Sequence, residues 1–285
     1  MVVLILGSHD DPVIRFFLRS IHGDAHREGY ICVAPQEIRT TVHINKNGWS
    51  FSSGRQIAHS AIHGVWNRIW CDVSRNMNQS HDAVMAYVYQ LLNKEYPKVV
   101  NRPQAALSNF SKCYQLGIIA ANYLRPAPGL ILKGQYLSAD EQSIQWIVKS
   151  ASSVRSKVVS LGYFSEPVRT FHRSLEPVLC QPRIHGDVIR VHVLVDKVWS
   201  CLCRSTQIDY RFDRQTQQEE IQLPVGIIED CCRITQDLDL AFSGIDIIRD
   251  KGTYTLLEVN TAPGYNYFHT HSVHVSAALN SYWHQ

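Results

Sequence analysis

Near the C-terminal end, the stretch LAFSGIDIIRDKGTYTLLEVNTAPGYNYF (Leu240 to Phe268) sets three oxygen-bearing side chains, Asp246, Glu258 and Asn260, into two apolar runs. RDKG between the runs is a turn signal, so the segment reads as a β-hairpin. A two-residue offset on a strand puts Glu258 and Asn260 on one face. A three-residue loop over Lys251 to Thr253 would pair Asp250 with Tyr254 and, counting back, set Asp246 directly opposite Glu258. Like charges facing each other across a strand pair destabilise it, and unpaired acids are rarely buried. A hard cation between them reverses the sign, and magnesium favours carboxylate and amide oxygens. The hairpin therefore reads as a metal site. His269, His271 and His274 form a second cluster, but the H-x-H-x-x-H spacing lacks further matching ligands and magnesium does not favour imidazole. That stretch reads as a loop facing substrate.

The elements that must position these residues follow from the pattern of the 285-residue chain. Val2 to Leu6 is a continuous apolar run ending at Gly7-Ser8, as in a buried parallel strand. Val13 to Ile21 has helical spacing and YICVAP is a second strand, a βαβ start that points to an α/β (α+β) fold. GVWNRIW (Gly64 to Trp70) reads as a strand. Ser80 can cap a helix running to Gln90–Asn93, with Val84, Val88, Leu91 and Leu92 on its inner face. The pattern from Gln104 to Leu124 is helical and stops before Pro126. Ser138 and Glu141 make a capping box. IQWIVK is a strand ending at Lys149, and KVVSLGYF follows a serine-rich loop. PVLCQPRI is a further strand, VIRVHVLV and VWSCLCR alternate as a hairpin, Pro224 to Leu238 is helical, and Ser272 to Trp283 closes the chain as a helix. These pieces divide into an N-terminal α/β lobe (1–103), a small central lobe (104–176) and a C-terminal lobe carrying the hairpin (177–285).

Composition excludes several classes. The chain is 45% hydrophobic and 19% charged, as expected of a globular protein. A net charge of +3 is far from that of a dedicated nucleic-acid binder. The arginines are dispersed, with no aromatic-basic platform. No apolar run approaches the roughly 18 residues of a membrane helix, and the N-terminus lacks the features of a signal peptide. Eight cysteines are scattered without a C-x-x-C pair. That pattern points to reduced thiols in the cytoplasm rather than a disulfide framework or a zinc site. Nucleic acid and membrane are thus not expected partners, and homo-oligomerisation stays open.

The order of these pieces, with GIDII followed by LLEVNTAPG, resembles the ATP-grasp ligase superfamily over nearly the whole chain. The nearest likeness is to the ribosomal-protein glutamate ligases and the microviridin-type (graspetide) peptide macrocyclases. VNRPQAALSNFSK, IVK, CQPRI, VIRVHVLVDKVW and DYR add to it. GVWNRIW is similar to the V-W-x-R strand of the macrocyclases, while N-T-A-P-G is nearer the N-x-S-P-G of the glutamate ligases. The resemblance implies three lobes that hold ATP between two sheets, with Mg2+ on its phosphates. It also implies activation of a carboxylate as an acyl phosphate, followed by attack of an amine or hydroxyl, on a peptide or an amino acid. An ATP-binding or phosphoryl-transfer protein without ligase activity is the competing expectation.

Carried over residue by residue, the resemblance gives Asp246, Glu258 and Asn260 as metal ligands, and Lys112 and Lys149 as lysines on the ATP phosphates. Gln181, Arg183 and Ile184 become the adenine hinge; Pro182 there has no N–H. The family's ribose acid falls at Val188, one position past Asp187: either the hinge is shifted by one residue and Asp187 takes that role, or the ribose is held differently. Ser150 to Ser156 contains no glycine where the family has a glycine-rich lid. Arg211 in DYR and Arg68 are substrate-binding positions, and Trp66 reads as core. Arg190 and Arg204 match phosphate-contacting arginines. A two-residue turn at Asp196-Lys197 would put Arg190 opposite Cys203, with Arg204 on the other face; a three-residue loop or a bulge would bring both arginines to one face. The expectation is the shared face, where the pair could clamp the γ-phosphate.

Overall fold

Parallel strands built from apolar runs need cover on both faces, and the first hundred residues supply it. The computed structural model describes residues 2–21, 29–69, 83–122, 125–126, 130–132, 146–151, 158–161, 178–205, 210, 213 and 215–285. Trp70, Ser80, the Ser138–Glu141 box, residues 152–157 of the serine-rich loop and Arg211 lie outside them. The chain divides into two units, Met1–Ala106 with Asp239–Phe242 and Ala262–Gln285, and Leu107–Leu238 with Ser243–Thr261.

In the first unit β1 (Val2–Leu6) leads into α1 (Pro12–Ser20), whose N-cap Asp11 accepts a hydrogen bond from the Val13 amide. Then come β2 (Tyr30–Val33), α2 (Pro35–Thr40), the small antiparallel sheet of β3 (His43–Asn45), β4 (Gly48–Ser50) and β5 (Gln56–Ala58), and β6 (Ile62–Asn67). α3 (Ala83–Lys94), β7 (Val99–Val100) and α4 (Pro103–Ala106) complete the run. The main sheet is parallel, in the order β2-β1-β6-β7. Leu4, Leu6, Val65, Val88 and Leu92 are buried in one core cluster. On α3 the structure buries Met85 and exposes Val84, correcting the inner face by one residue. Both positions fit a helical period with Val88, so periodicity alone did not separate them.

The C-terminal helix Ser272–His284 returns to this unit. Its Trp283 joins Phe17 and Trp66 in an aromatic cluster with centroids 5.2–6.0 Å apart. A Cβ on Gly64 would lie 2.1 Å from Trp283 Cδ1, so only glycine admits the indole at that approach. Trp66 is core, as read.

The second unit opens with α5 (Lys112–Asn122), preceded by a 3-10 turn over Leu107–Phe110. The single helix read from 104 to 124 is therefore interrupted. Ser111 causes the break by capping α5, its hydroxyl accepting from the Tyr114 amide at 3.1 Å. The interruption makes Lys112 the first helical residue. Among the described residues this unit contains two sheets. One, in the order β11-β10-β12-β9, joins β9 (Leu130–Leu132), β10 (Trp146–Ser150), β11 (Val158–Leu161) and β12 (Val178–Pro182). The other has six strands, β15-β14-β13-β16-β17-β8. These are β8 (Arg125–Pro126), β13 (Asp187–Leu194), β14 (Lys197–Arg204), β15 (Gln217–Glu220), β16 (Phe242–Asp250) and β17 (Thr253–Asn260). Helix α6 (Val225–Asp237) packs on β13 and buries Cys231, Ile234 and Thr235. The Thr235 and Ser243 hydroxyls meet at 2.7 Å.

Candidate active site

The β16–β17 hairpin does set Asp246 opposite Glu258, and Gly244 opposite Asn260. The route differs from the expected one. Asp250 pairs with Thr253 across a two-residue turn, Lys251-Gly252, with φ of +47° and +86°, the positive values that tight hairpin turns demand. That turn alone would put Asp246 opposite Leu257. A bulge at Leu257, between the Ile247–Leu256 and Asp246–Glu258 pairs, adds the missing residue. The bulge, not a three-residue loop, aligns the acids.

The three polar side chains converge. Asn260 Nδ2 lies 3.3 Å from Asp246 Oδ2 and 3.5 Å from Glu258 Oε1. Lys112 Nζ donates to Glu258 Oε2 at 2.8 Å, the two side chains being 4% and 13% exposed. Arg190 Nη1 donates to Asp246 Oδ1 at 2.9 Å, at 4% and 9% exposure. The Tyr210 hydroxyl reaches the same Oδ1 at 3.3 Å. His192, fully buried, receives Arg190 Nε at 3.4 Å. Two carboxylates and a carboxamide form an all-oxygen set, and that chemistry fits a hard divalent cation.

The elements explain this convergence. Lys112, at the start of α5, is joined through its own amide to the Ala151 carbonyl at 2.9 Å, just past β10. One turn on, Gln115 grips the Val259 backbone: Nε2 donates to its carbonyl at 2.8 Å and Oε1 accepts from its amide at 3.4 Å. Val259 lies between Glu258 and Asn260, so Gln115 fixes the strand from which both project. Neither Gln115 nor Tyr210 was singled out from the sequence. The spacing Lys112–Gln115, i and i+3 on one helix face, was the available signal.

On the smaller sheet Lys149 pairs with Leu179 and Ile147 with Gln181, so Lys149 and Gln181 share a face and both are buried. β12 ends at Pro182, and residues 183–185, with Arg183 and Ile184, leave the ladder.

One expected placement changes, that of Arg204, and two other candidates, Asp187 and Arg68, each have an ion-pair partner within the chain. The β13–β14 turn lies at Val195-Asp196, which pairs Leu194 with Lys197 and Arg190 with Cys201. Arg204 is three residues from Cys201, so it faces away from Arg190 and the shared clamp does not form. Arg204 instead meets Glu219 on β15 at 2.5 Å with both side chains 55% exposed. Asp187, the ribose candidate, pairs with Arg249 at 2.6 Å, and this hydrogen bond holds the Arg249 guanidinium above its usual pKa. Arg68 lies in the first unit, buried against Asp11 at 2.6 Å, with Nη1 3.3 Å from the Pro263 carbonyl and its guanidinium 5.3 Å from the Trp66 ring centre. Near the acids, the Cys203 thiol is held well above its usual pKa by its contact with Cys201 and by burial, so it stays protonated.

Residues 170–282 match the RimK-like ATP-grasp domain. The ligase PsnB, solved with a minimal precursor, superposes with a TM-score of 0.75 at 21% identity, over 99% of each chain. The protein has the ATP-grasp fold. Related PsnB crystals contain Mg and ADP together with the precursor (TM-score 0.74, 20% identity, 99% and 97% coverage). The macrocyclase MdnC of Microcystis aeruginosa MRC, bound to precursor peptide MdnA, gives 0.74 at 14% identity, over 99% of this ATP-grasp chain and 100% of MdnC. D-alanine–D-alanine ligase of Bacillus anthracis with ATP gives 0.65 at 14%, with 99% and 94% coverage. Comparison with curated protein sequences returns no match.

Proposed function

We propose that the protein is an ATP- and Mg2+-dependent ligase that activates a carboxylate as an acyl phosphate and joins it to an amine or hydroxyl, with a peptide as substrate. The observation that carries this reading is the convergence of Asp246, Glu258 and Asn260 with Lys112 and Arg190 on one face of the six-stranded sheet. The peptide class is supported by PsnB and MdnC, which were solved with precursor peptides.

In this reading Asp246, Glu258 and Asn260 hold the cation, and Lys112 and Lys149 hold the ATP phosphates. Mg2+ supplies neutralisation of charge on phosphate oxygens, the main need where protein groups chiefly position the transferring group. Arg190 orients the phosphoryl group beside Asp246. Gln181, Arg183 and Ile184 line the adenine, whose backbone donor must come from Arg183 or Ile184 because Pro182 has none. Arg68 and Arg211 remain candidates for the substrate carboxylate. Among the described residues no helix is long and apolar enough to cross a membrane.

The test is release of ADP and phosphate with Mg2+ and a carboxylate substrate, with hydroxylamine trapping the acyl phosphate. Glu258→Gln should abolish turnover while circular dichroism stays unchanged; full activity in that variant would refute the metal assignment. Binding of ATP with no ADP formed on any carboxylate offered would favour a nucleotide-binding role without ligation.

A further inference from the structure

The four carboxylate oxygens of Asp246 and Glu258 are each met by a donor of the chain itself. Lys112 takes Glu258 Oε2, Asn260 Nδ2 faces Glu258 Oε1 and Asp246 Oδ2, and Arg190 with Tyr210 takes Asp246 Oδ1. Any divalent cation must win these oxygens from the chain. Asn260 presents its amide N–H to the acids, so its carboxamide must also turn to offer Oδ1.

We propose that Lys112 and Arg190 are internal counter-ions that compete with the divalent cation for Glu258 and Asp246, and that a polyphosphate relieves the competition by taking the displaced cations. The inference rests on the metal role given above to Asp246, Glu258 and Asn260. Two carboxylates, one ammonium and one guanidinium sum to zero charge across the two ion pairs. A divalent cation added alone leaves +2 among these side chains, in a site where Lys112 and Arg190 are each 4% exposed. Drawing a buried charge away from its carboxylate is strongly unfavourable. A nucleoside di- or triphosphate supplies the anion both can turn to, lysine as a mobile point charge and arginine as a planar fork. Metal and nucleotide therefore strengthen each other's binding, and by linkage the coupling is reciprocal.

The sign of one substitution tests this. A residue that only contacts phosphate would, when removed, weaken nucleotide binding and leave the metal alone unaffected. An internal competitor would, when removed, make the metal alone bind more tightly. Mn2+ titration followed by electron paramagnetic resonance, with and without ADP, reads both. Lys112→Met should bind Mn2+ without nucleotide at least about fivefold more tightly than the wild type, the low end of typical coupling factors, and should lose a comparable factor in the enhancement by ADP. Lys112→Arg, which keeps the charge, should behave as the wild type. Lys112→Gln takes the place of the methionine variant if circular dichroism shows that it does not fold. Unchanged or weakened Mn2+ binding in the neutral variant overturns the proposal. A wild type that takes up no Mn2+ even with ADP overturns the metal reading itself, a failure distinguishable from the first.

Discussion

Gln115 holds both the N–H and the C=O of Val259, 144 positions further along the chain. It is a neutral amide outside every motif, so nothing in its type advertises a role, whereas Asp246, Glu258 and Asn260 were legible because acids in an apolar run need a partner. Lys112 was legible only through its motif, and Tyr210 was hidden beside the more conspicuous Arg211. Replacing Gln115 with leucine removes both contacts and leaves the carbonyl and amide of Val259 to find others in a buried setting. A stability loss of about 1–3 kcal/mol is expected for stranding a buried polar group, read as a lower midpoint in urea. If Gln115 positions the ligands, Mn2+ affinity in the presence of ADP should fall in the same variant, and Gln115→Glu should not restore it, because a carboxylate cannot donate to the Val259 carbonyl. A leucine variant that loses stability but binds Mn2+ as the wild type does would reduce Gln115 to packing.

The hairpin shows how an element can reach an expected pairing by an unexpected path. From the sequence, one extra residue had to be absorbed somewhere between Asp246 and Glu258, and the loop was the obvious place. The structure uses a two-residue turn, with Gly252 accepting a positive φ, and absorbs the residue at Leu257 instead. Either solution gives the same facing pair, so the acids' alignment was legible while the mechanism was not. The β13–β14 hairpin had no such constraint: shifting its turn by one position changed Arg190's partner from Cys203 to Cys201. Arg204 faces away from Arg190 in either case, and neither the three-residue loop nor the bulge that would have joined them is present. Deleting Leu257 tests the bulge directly. Without it the two-residue turn alone sets Asp246 opposite Glu258 and Gly244 opposite Asn260 in a regular ladder, so the facing pair survives the deletion. A folded deletion variant that still binds Mn2+ with ADP is therefore expected, and loss of that binding would show that the local twist of the bulge, beyond the register it sets, aims the ligands.

At the scale of the molecule, strand and helix order was readable because buried parallel strands are continuous apolar runs and the helices keep their period. The return of Ala262–Gln285 to the first unit was not, because sequence order placed that tail with the hairpin it follows. The information sat in a complementary pair: a glycine at 64, where a strand run favours branched residues, and a tryptophan 219 positions later that needs the space. Trp283 is 1% exposed among Phe17, Tyr30 and Trp66. Its replacement by alanine leaves a large void, and truncation of a buried aromatic typically costs about 3–5 kcal/mol. That loss falls on the first unit, whose sheet carries the cluster, while the metal hairpin draws its ligands and their supports from the second. Native-state hydrogen exchange on Trp283→Ala should therefore show lost protection in β1 and β6 with β13, β14 and β17 still protected. Units with separate cores open with separate free energies. Equal loss of protection in all five strands would show instead that the chain unfolds as one cooperative body, with the C-terminal helix as much a part of the site's stability as Gln115.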